Sequence, residues 1–182
     1  ADLDPGQLSD AGFLHGIAYV TFQELATRLS HRNTGKVCHD PIAETMLQRI
    51  ATDENLHMIF YRNICAAALD VAPDQTLRAI TTTLMNFQMP GAGTPNFLRH
   101  GALMAKNGIY DMRQHLEDVM KPILRTWKIF ERTDFTAEGE QTREELGAFL
   151  TKYEQDTIKF EERRDRLAAR EVARRGPSTL LS

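Results

Sequence analysis

The chain has 182 residues, of which 42% are hydrophobic and 26% are charged, and its formal net charge is −3. A chain of this length and composition is expected to fold as one domain with a sizeable apolar core, and general disorder is excluded. The small net charge excludes the overall basic field on which non-specific binding to nucleic acid or to membrane surfaces depends.

Six helices and no strands are predicted, because long segments with a 3.6-residue hydrophobic period alternate with Gly and Pro. Asp40-Pro41 and Thr94-Pro95 are helix-start signals, Gly35 is a stop signal, and Pro122 is expected to kink the fifth helix. We expect one helical domain over 1–182, in which 161–182 form a charged helix end and tail. The predicted helices cover about residues 10–33, 40–70, 73–89, 95–107, 111–130 and 136–175.

The first helix is apolar on almost every side between Ala11 and Leu29, a pattern typical of a buried central helix. Glu24 is the only acidic residue in that stretch. It is either a core carboxylate that pairs with Arg28 or His31, or a ligand for a metal ion. This helix alone leaves both interpretations open.

The second helix carries Glu54 and His57 in its apolar stripe, together with Ile50, Met58 and Cys65. An ionisable pair that faces a core needs a partner or a metal. Residues three apart lie side by side on a helix and can offer a carboxylate and an imidazole to one ion. Ferritin-like di-iron bundles use Glu-x-x-His in this way, although so short a pattern also arises by chance.

Glu24, Glu54 and His57 together form half of the six-ligand set of a di-iron bundle. Hard oxygen donors combined with imidazole suit iron or manganese better than metals that prefer thiolates. The chain contains no second Glu-x-x-His. We therefore predict that this polypeptide cannot complete a di-iron centre by itself.

Three stretches resemble the soluble acyl-(acyl carrier protein) desaturases. YVTFQELAT at 19–27 and SHRNT at 30–34 resemble the third ligand helix of that family. ATDENLH at 51–57 resembles its second Glu-x-x-His motif. FQMP at 87–90 and Trp127-Lys128 follow in the order expected, so the likeness spans about 12–130.

The resemblance implies an all-α, ferritin-like helical bundle, either partial or completed by a second chain, of which this chain is the carboxyl-terminal half. It also implies a di-iron centre with two irons per complete bundle, to which Glu24, Glu54 and His57 contribute ligands. Thr27 matches the hydroxyl residue near the iron–oxygen species. Asp53 matches a carboxylate that orients the histidine of the opposite half.

The implied function is dioxygen-dependent desaturation of an acyl chain on acyl carrier protein, in fatty acid biosynthesis, with a ferredoxin-type electron donor. Gly16, Ile17 and Val20 fall where the family lines its acyl tunnel. The family's first ligand Glu and first Glu-x-x-His precede the aligned region, so we expect a complementary amino-terminal half or a homo-oligomer. The alternatives are a non-catalytic subunit that binds acyl carrier protein or a partner helix, and another ferritin-like oxidase or iron-storage protein.

The sequence also bears on the binding partners of the protein and on its location in the cell. Acyl carrier protein is acidic, and the candidate basic residues for receiving it are Arg78, Arg99, Lys121 and Lys128. With two separate cysteines, no apolar run of membrane-spanning length and no signal-peptide pattern, the sequence predicts a cytoplasmic protein without a membrane span. Since the chain begins with Ala1, we expect a fragment, a processed product or one half of a split protein.

Overall fold

The computed structural model describes residues 10–89 and 92–175. Over these residues the chain is helical and contains no strand. None of the described helices is both long and apolar enough to cross a membrane. The elements are α1 (Asp10–Val37), α2 (Pro41–Val71), α3 (Pro73–Met85), α4 (Phe97–Lys106), α5 (Met112–Gln114), a π-helical turn (His115–Met120), α6 (Lys121–Thr126) and α7 (Ala137–Arg175).

The helices α1 and α2 form an antiparallel hairpin that carries most of the predicted site residues. The Asp40 side chain accepts hydrogen bonds from the backbone N–H groups of Ile42 and Ala43, so the predicted cap is confirmed. Gly35 was expected to end α1, yet it lies inside the helix and is buried. A Cβ atom there would lie 3.4 Å from Glu44 Cα, so this glycine allows the two helices to approach closely.

The third helix ends earlier than its sequence pattern predicts. It stops at Met85, not at Met89, because Asn86 leaves the helical conformation and its side-chain amide donates back to the Thr82 carbonyl. Phe87 then stacks on His115 with ring centroids 4.6 Å apart. A continued helix would carry Phe87 away along the helix axis, so a tertiary aromatic contact overrides the local helical pattern.

The fourth helix begins later than predicted. Asn96 occupies its N-cap position with a left-handed backbone at φ 63°, and the first helical residue is Phe97. The expected cap at Thr94-Pro95 therefore belongs to the preceding turn. Ala105 is the residue of α4 that is buried, while Leu98 and Leu103 remain exposed.

The segment over 112–126 contains the irregularity that was predicted at Pro122, but it takes the form of a π-helical turn directly before that residue. Proline lacks a backbone N–H and its ring crowds the carbonyl four residues earlier. A widened turn is one way to relieve this conflict. The helix ends at Thr126, short of the predicted Phe130, since Lys128 adopts a positive φ of 52°.

The long helix α7 packs across α3 and matches its predicted range. At its start, Asp74 of α3 accepts hydrogen bonds from the backbone N–H and the hydroxyl of Thr136. Towards its other end, Glu161 pairs with Arg113 at 2.8 Å and Arg164 pairs with Asp111 at 3.2 Å. The charged helix end is thus held against the molecule as far as Arg164.

One side of the α1–α2 hairpin lacks a covering element within the described residues. The helix α1 is therefore buried on one side in this chain, whereas its sequence predicts burial on almost every side. Large apolar side chains are exposed along the open side of the hairpin, and the most exposed of them on α2 are Ile42 at 83% and Val71 at 86%. The others are Phe13, Met46, Leu56 and Phe60.

Candidate metal centre

The three predicted metal ligands converge in the middle of the α1–α2 hairpin. Glu24 lies on α1, and Glu54 and His57 lie one turn apart on α2. One ligand atom from each of the three lies within 4.8 Å of the others. His57 Nδ1 lies 3.3 Å from Glu24 Oε2.

These three side chains differ in their exposure. The side chains of Glu24 and Glu54 are 13% and 18% exposed, whereas that of His57 is 60% exposed. His57 was expected to face a core, and in this chain it points to the open side of the hairpin. The reason is that α2 packs on α1 and α3 through Met58, Cys65 and their neighbours, which turns the His57 side of the helix outward.

The electrostatics of the site favour a cation. Partial burial raises the pKa of Glu24 well above its ordinary value, and the adjacent Glu54 carboxylate raises it further, while His57 acts in the opposite direction. Two carboxylates held this close compete for one proton when no cation lies between them. The donor set of two carboxylates and one imidazole fits a hard or borderline divalent metal such as iron or manganese.

His31 is a neighbour of the site that the ligand pattern did not assign. Its Nε2 atom lies 3.7 Å from Glu54 Oε1. His31 was one of the two partners predicted for Glu24 if that residue were a core carboxylate, but the structure pairs Glu24 with His57 and brings His31 towards Glu54. The spacing of His31 could have identified it as a neighbour of the site, because it follows Glu24 by two helical turns and therefore lies on the same face of α1.

The sequence matches the fatty acid desaturase family over residues 3–175. The chain belongs to this family. It is 49% identical over 156 residues to a protein from Mycobacterium tuberculosis whose name is acyl-[acyl-carrier-protein] desaturase DesA1. It is 27% identical over 141 residues to a stearoyl-[acyl-carrier-protein] 9-desaturase from Gossypium hirsutum. These alignments cover 86% and 72% of this chain, respectively, but 46% and 35% of the relatives, so the chain spans less than half their length.

The fold is similar to the X-ray structure of the acyl-ACP desaturase DesA2 from Mycobacterium tuberculosis. The TM-score is 0.61 at 22% sequence identity, and the match covers 77% of this chain and 57% of the other. This likeness confirms the predicted all-α, ferritin-like helical bundle.

Two further residues predicted from the desaturase resemblance flank the ligands. The Thr27 hydroxyl lies one turn after Glu24, but it donates to the backbone carbonyls of Gln23 and Glu24, at 3.0 Å and 3.1 Å. Asp53 is exposed next to Glu54 on the open side of α2. Asp53 is therefore accessible from the open side of the hairpin.

The three predicted acyl-tunnel residues do not share one environment. Gly16 is exposed and Val20 is half-buried, both on the Glu24 side of α1. Ile17 is 4% exposed and belongs to the hydrophobic core. Within this chain, Gly16 and Val20 are thus the members of the group that are accessible to solvent.

Proposed function

We propose that this chain supplies half of the iron ligands of a di-iron desaturase, which introduces a double bond into an acyl chain carried on acyl carrier protein. The observation that supports this most directly is the convergence of Glu24, Glu54 and His57 on two helices of a fatty acid desaturase family member. When bound, the di-iron centre would supply dioxygen activation, with electrons from a ferredoxin-type donor. We place the reaction in the cytoplasm.

The residues of this chain have separate tasks in the proposal. Glu24, Glu54 and His57 would hold the metal with two carboxylates and an imidazole, the donor set that suits iron. Asp53 would orient a histidine from the complementary half by accepting its ring N–H. Thr27 would keep a hydroxyl beside the ligands. The buried and half-buried side chains of α1 would keep bulk water away from the carbon atoms of the acyl chain that react, on the side that faces this helix.

The open side of the hairpin supports a complementary half. It combines exposed apolar residues, among them Phe60 and Leu56, with the exposed His57. An apolar surface of this kind on a bundle helix is normally covered by another helix. The cover that completes the ligand set would carry one further Glu and a Glu-x-x-His. An amino-terminal half on another polypeptide, or another copy of a longer chain, could provide it.

Desaturation by the assembled enzyme tests the function. The chain is combined with a polypeptide that carries the other three ligands, and stearoyl carrier protein, dioxygen and a reduced ferredoxin-type donor are added. Mass spectrometry then measures the unsaturated product. We expect Glu24→Ala and His57→Ala each to abolish product formation and to lower the iron content, because neighbouring groups cannot replace a lost carboxylate or imidazole.

Glu162→Ala and His100→Ala are matched controls, since both residues are exposed on other helices. They should leave product and iron content unchanged. Near-native desaturation by either ligand variant would show that the residue is a structural polar group. Iron binding without any desaturation, even with all components present, would favour the non-catalytic subunit.

A further inference from the structure

A chain of aromatic rings leads from α1 to the π-helical turn and on to α7. Phe87 contacts Tyr19 of α1 with ring centroids 5.7 Å apart, and it stacks on His115 at 4.6 Å. The His115 ring lies 6.0 Å from both Tyr110 and Tyr153, again between centroids. Three of the four tyrosines of the chain therefore belong to one set of packed rings, and the proposed function gives none of them a role.

Two side chains of this set share a short hydrogen bond. The Tyr110 hydroxyl lies 2.6 Å from Nδ1 of His115. Burial lowers the pKa of His115 to about 4, so its ring is neutral at pH 7 and has one acceptor nitrogen. With the phenol as the donor, Nδ1 is that acceptor and the ring proton lies on Nε2. The Nε2 atom is buried and has no hydrogen-bond partner among the residues that the structure describes, so a proton received at Nδ1 has no onward acceptor there.

The Tyr110 phenol is protected against simple loss of its proton. Burial raises the pKa of Tyr110 far above its ordinary value, and the nearby Tyr153, Asp111 and Asp118 raise it further. The phenolate is therefore suppressed at neutral pH. A phenol that has lost an electron is, by contrast, a very strong acid, and even a weakly basic imidazole accepts its proton. Loss of an electron from Tyr110 and transfer of its proton to His115 are thus expected to occur together.

We propose that Tyr110 and His115 form a reversible redox site. The phenol gives one electron to a one-electron oxidant, its O–H bond breaks, and the proton passes to Nδ1 of His115. The products are a neutral tyrosyl radical, an imidazolium and the reduced oxidant. Return of an electron to the oxygen and of the proton from Nδ1 restores the phenol.

In the assembled desaturase, this site would receive an oxidising equivalent from the metal centre when no acyl chain is bound. The ring chain through Phe87 supports that use, because it begins at Tyr19, five residues or about 7.5 Å before Glu24 along α1. The use rests on the function proposed above. The redox site itself does not, since any sufficiently strong one-electron oxidant can reveal it.

Flash oxidation of the full 182-residue chain, without iron or carrier protein, tests the redox site. Light-excited tris(bipyridine)ruthenium(II), with chloropentaamminecobalt(III) as the electron acceptor, generates ruthenium(III) as the oxidant. Transient absorption and electron paramagnetic resonance detect the tyrosyl radical. We expect Tyr110→Phe to remove most of the long-lived radical. In the unaltered chain the radical should form more slowly in deuterium oxide, because the proton moves with the electron.

His115→Asn distinguishes proton transfer from hydrogen bonding. The amide oxygen retains an acceptor near the position of Nδ1, but it is not basic enough to hold the proton. We expect the variant to form the radical at least about tenfold more slowly. Radical formation at the unaltered rate in a folded His115→Asn chain would overturn the inference. Tyr110→Phe keeps the ring and its packing, so it decides the matter even if His115→Asn does not fold.

Tyr61→Phe is the matched control. Tyr61 is also half-buried and packs edge-on against a ring, that of Phe60 at 5.2 Å, but it forms no hydrogen bond to a histidine in the part of the chain that the structure describes. The control should leave the yield and the rate of radical formation unchanged. Equal loss of radical in Tyr61→Phe and Tyr110→Phe, or a tryptophan radical in place of the tyrosyl radical, would show that the site is not Tyr110.

The use in the assembled enzyme has a separate test. Reduced, iron-loaded enzyme is mixed with dioxygen in the absence of acyl carrier protein and is frozen for electron paramagnetic resonance. We expect a tyrosyl radical that Tyr110→Phe greatly reduces, while both proteins desaturate stearoyl carrier protein equally. A radical after the flash but none in this experiment would overturn the use and not the redox site. Failure of the unaltered enzyme to desaturate would refute the proposed function and not the redox site.

Discussion

Gly16 is the residue at which the proposed acyl path can be tested by size alone. An added Cβ atom would meet no atom within 4 Å, so the fold of this chain accepts a larger side chain there. We expect Gly16→Leu to block or shorten the acyl chain that the assembled enzyme can desaturate. Iron content should remain unchanged, because the ligands are untouched. Product analysis across acyl lengths and iron determination measure the two effects.

Gly101→Leu provides the control for Gly16→Leu, since Gly101 is also helical and also has open space around its Cβ position. Both changes replace a poor helix former by a good one, so neither should reduce folding stability. Unchanged desaturation of long chains by Gly16→Leu would show that the acyl chain runs elsewhere. The assignment of the metal ligands would not depend on that result.

The sequence predicted which residues form the candidate metal centre more readily than it predicted their exposure and their neighbours. The spacing of Glu54 and His57, and the isolation of Glu24 in an apolar helix, were enough to predict that the three would meet. The exposure of His57 could not be predicted, because a helical wheel shows which residues share a face but not which face is covered. The position of His31 beside Glu54 depends on the relative rotation of α1 and α2, which their separate sequences do not specify.

At the scale of elements, the contact between α3 and α7 depends on a glycine. A methyl group at Gly139 would overlap the Asp74 carboxylate that binds Thr136, and it would approach Phe135 Cβ to 2.9 Å. We expect Gly139→Ala to lower the free energy of unfolding by about 1–3 kcal/mol, because the packed start of α7 must shift. Urea denaturation followed by circular dichroism measures the change.

Gly147→Ala makes the same substitution on the same helix with the opposite expected sign. The nearest atom to its Cβ position is in the Phe130 ring at 3.8 Å, which is ordinary contact. Alanine should therefore stabilise the chain by up to about 1 kcal/mol through helix propensity. Equal effects of the two alanines would contradict the steric role given to Gly139.

The π-helical turn holds a buried histidine whose protonation is coupled to folding. His115 is 5% exposed, its Nδ1 atom lies 2.6 Å from the Tyr110 hydroxyl, and burial lowers its pKa from 6.5 to about 4. Below about pH 6.5 the unfolded chain gains a proton that the folded chain accepts only near pH 4. The free energy of unfolding should thus fall as the pH decreases through this window, by about 3 kcal/mol in total.

His115→Phe removes this titration while it retains a ring to stack on Phe87. We expect the variant to be less stable at pH 7 but to lose about 2 kcal/mol less than the unaltered chain between pH 7 and pH 4.5. Urea denaturation at the two pH values gives the change in the free energy of unfolding for each protein. The titration of the carboxylates contributes equally to both proteins, so it cancels when the two changes are subtracted. Identical pH dependence would mean that His115 takes up a proton as readily in the folded chain as in the unfolded chain.

The helix starts were predicted better than the helix ends. Asp40 and Pro41 form a local start signal that their own side chains satisfy, so no distant contact was needed to predict it. The early end at Met85 depends on the stacking of Phe87 on His115, which is 28 positions away in sequence. The π-helical turn likewise combines a local proline with tertiary burial, and only the proline is visible in the sequence.

At the scale of the whole molecule, iron binding should depend on a complementary half. Three ligands on an open surface leave the ion with few protein donors, so we expect the chain alone to bind iron weakly or not at all. Addition of the part that carries the other ligands should restore about two irons per bundle. Equilibrium dialysis followed by iron determination measures both states. Tight, stoichiometric iron in a monomeric chain would contradict the proposed division of ligands.

The helices followed from the hydrophobic periodicity, and the ferritin-like bundle followed from the desaturase resemblance, but neither specified the covered and uncovered sides of the bundle. Leu56 and Phe60 lie on the side of α2 opposite Met58, and they are exposed together with Phe13 of α1. A hydrophobic sequence pattern predicts which side chains are buried, but it does not identify the element that buries them. Whether the burying partner belongs to the same polypeptide is a property of the assembly.

The one tryptophan of the chain provides an optical probe of the hairpin that carries the ligands. Trp127 is 3% exposed, packs edge-on against Phe22 of α1 at 5.7 Å, and donates a hydrogen bond from Nε1 to the Arg62 carbonyl of α2. Its indole therefore touches both helices of the hairpin and no bulk solvent. Separation of α1 from α2 would hydrate the ring and shift its fluorescence emission to longer wavelength, so a single emission spectrum can distinguish loss of the hairpin from loss of metal alone.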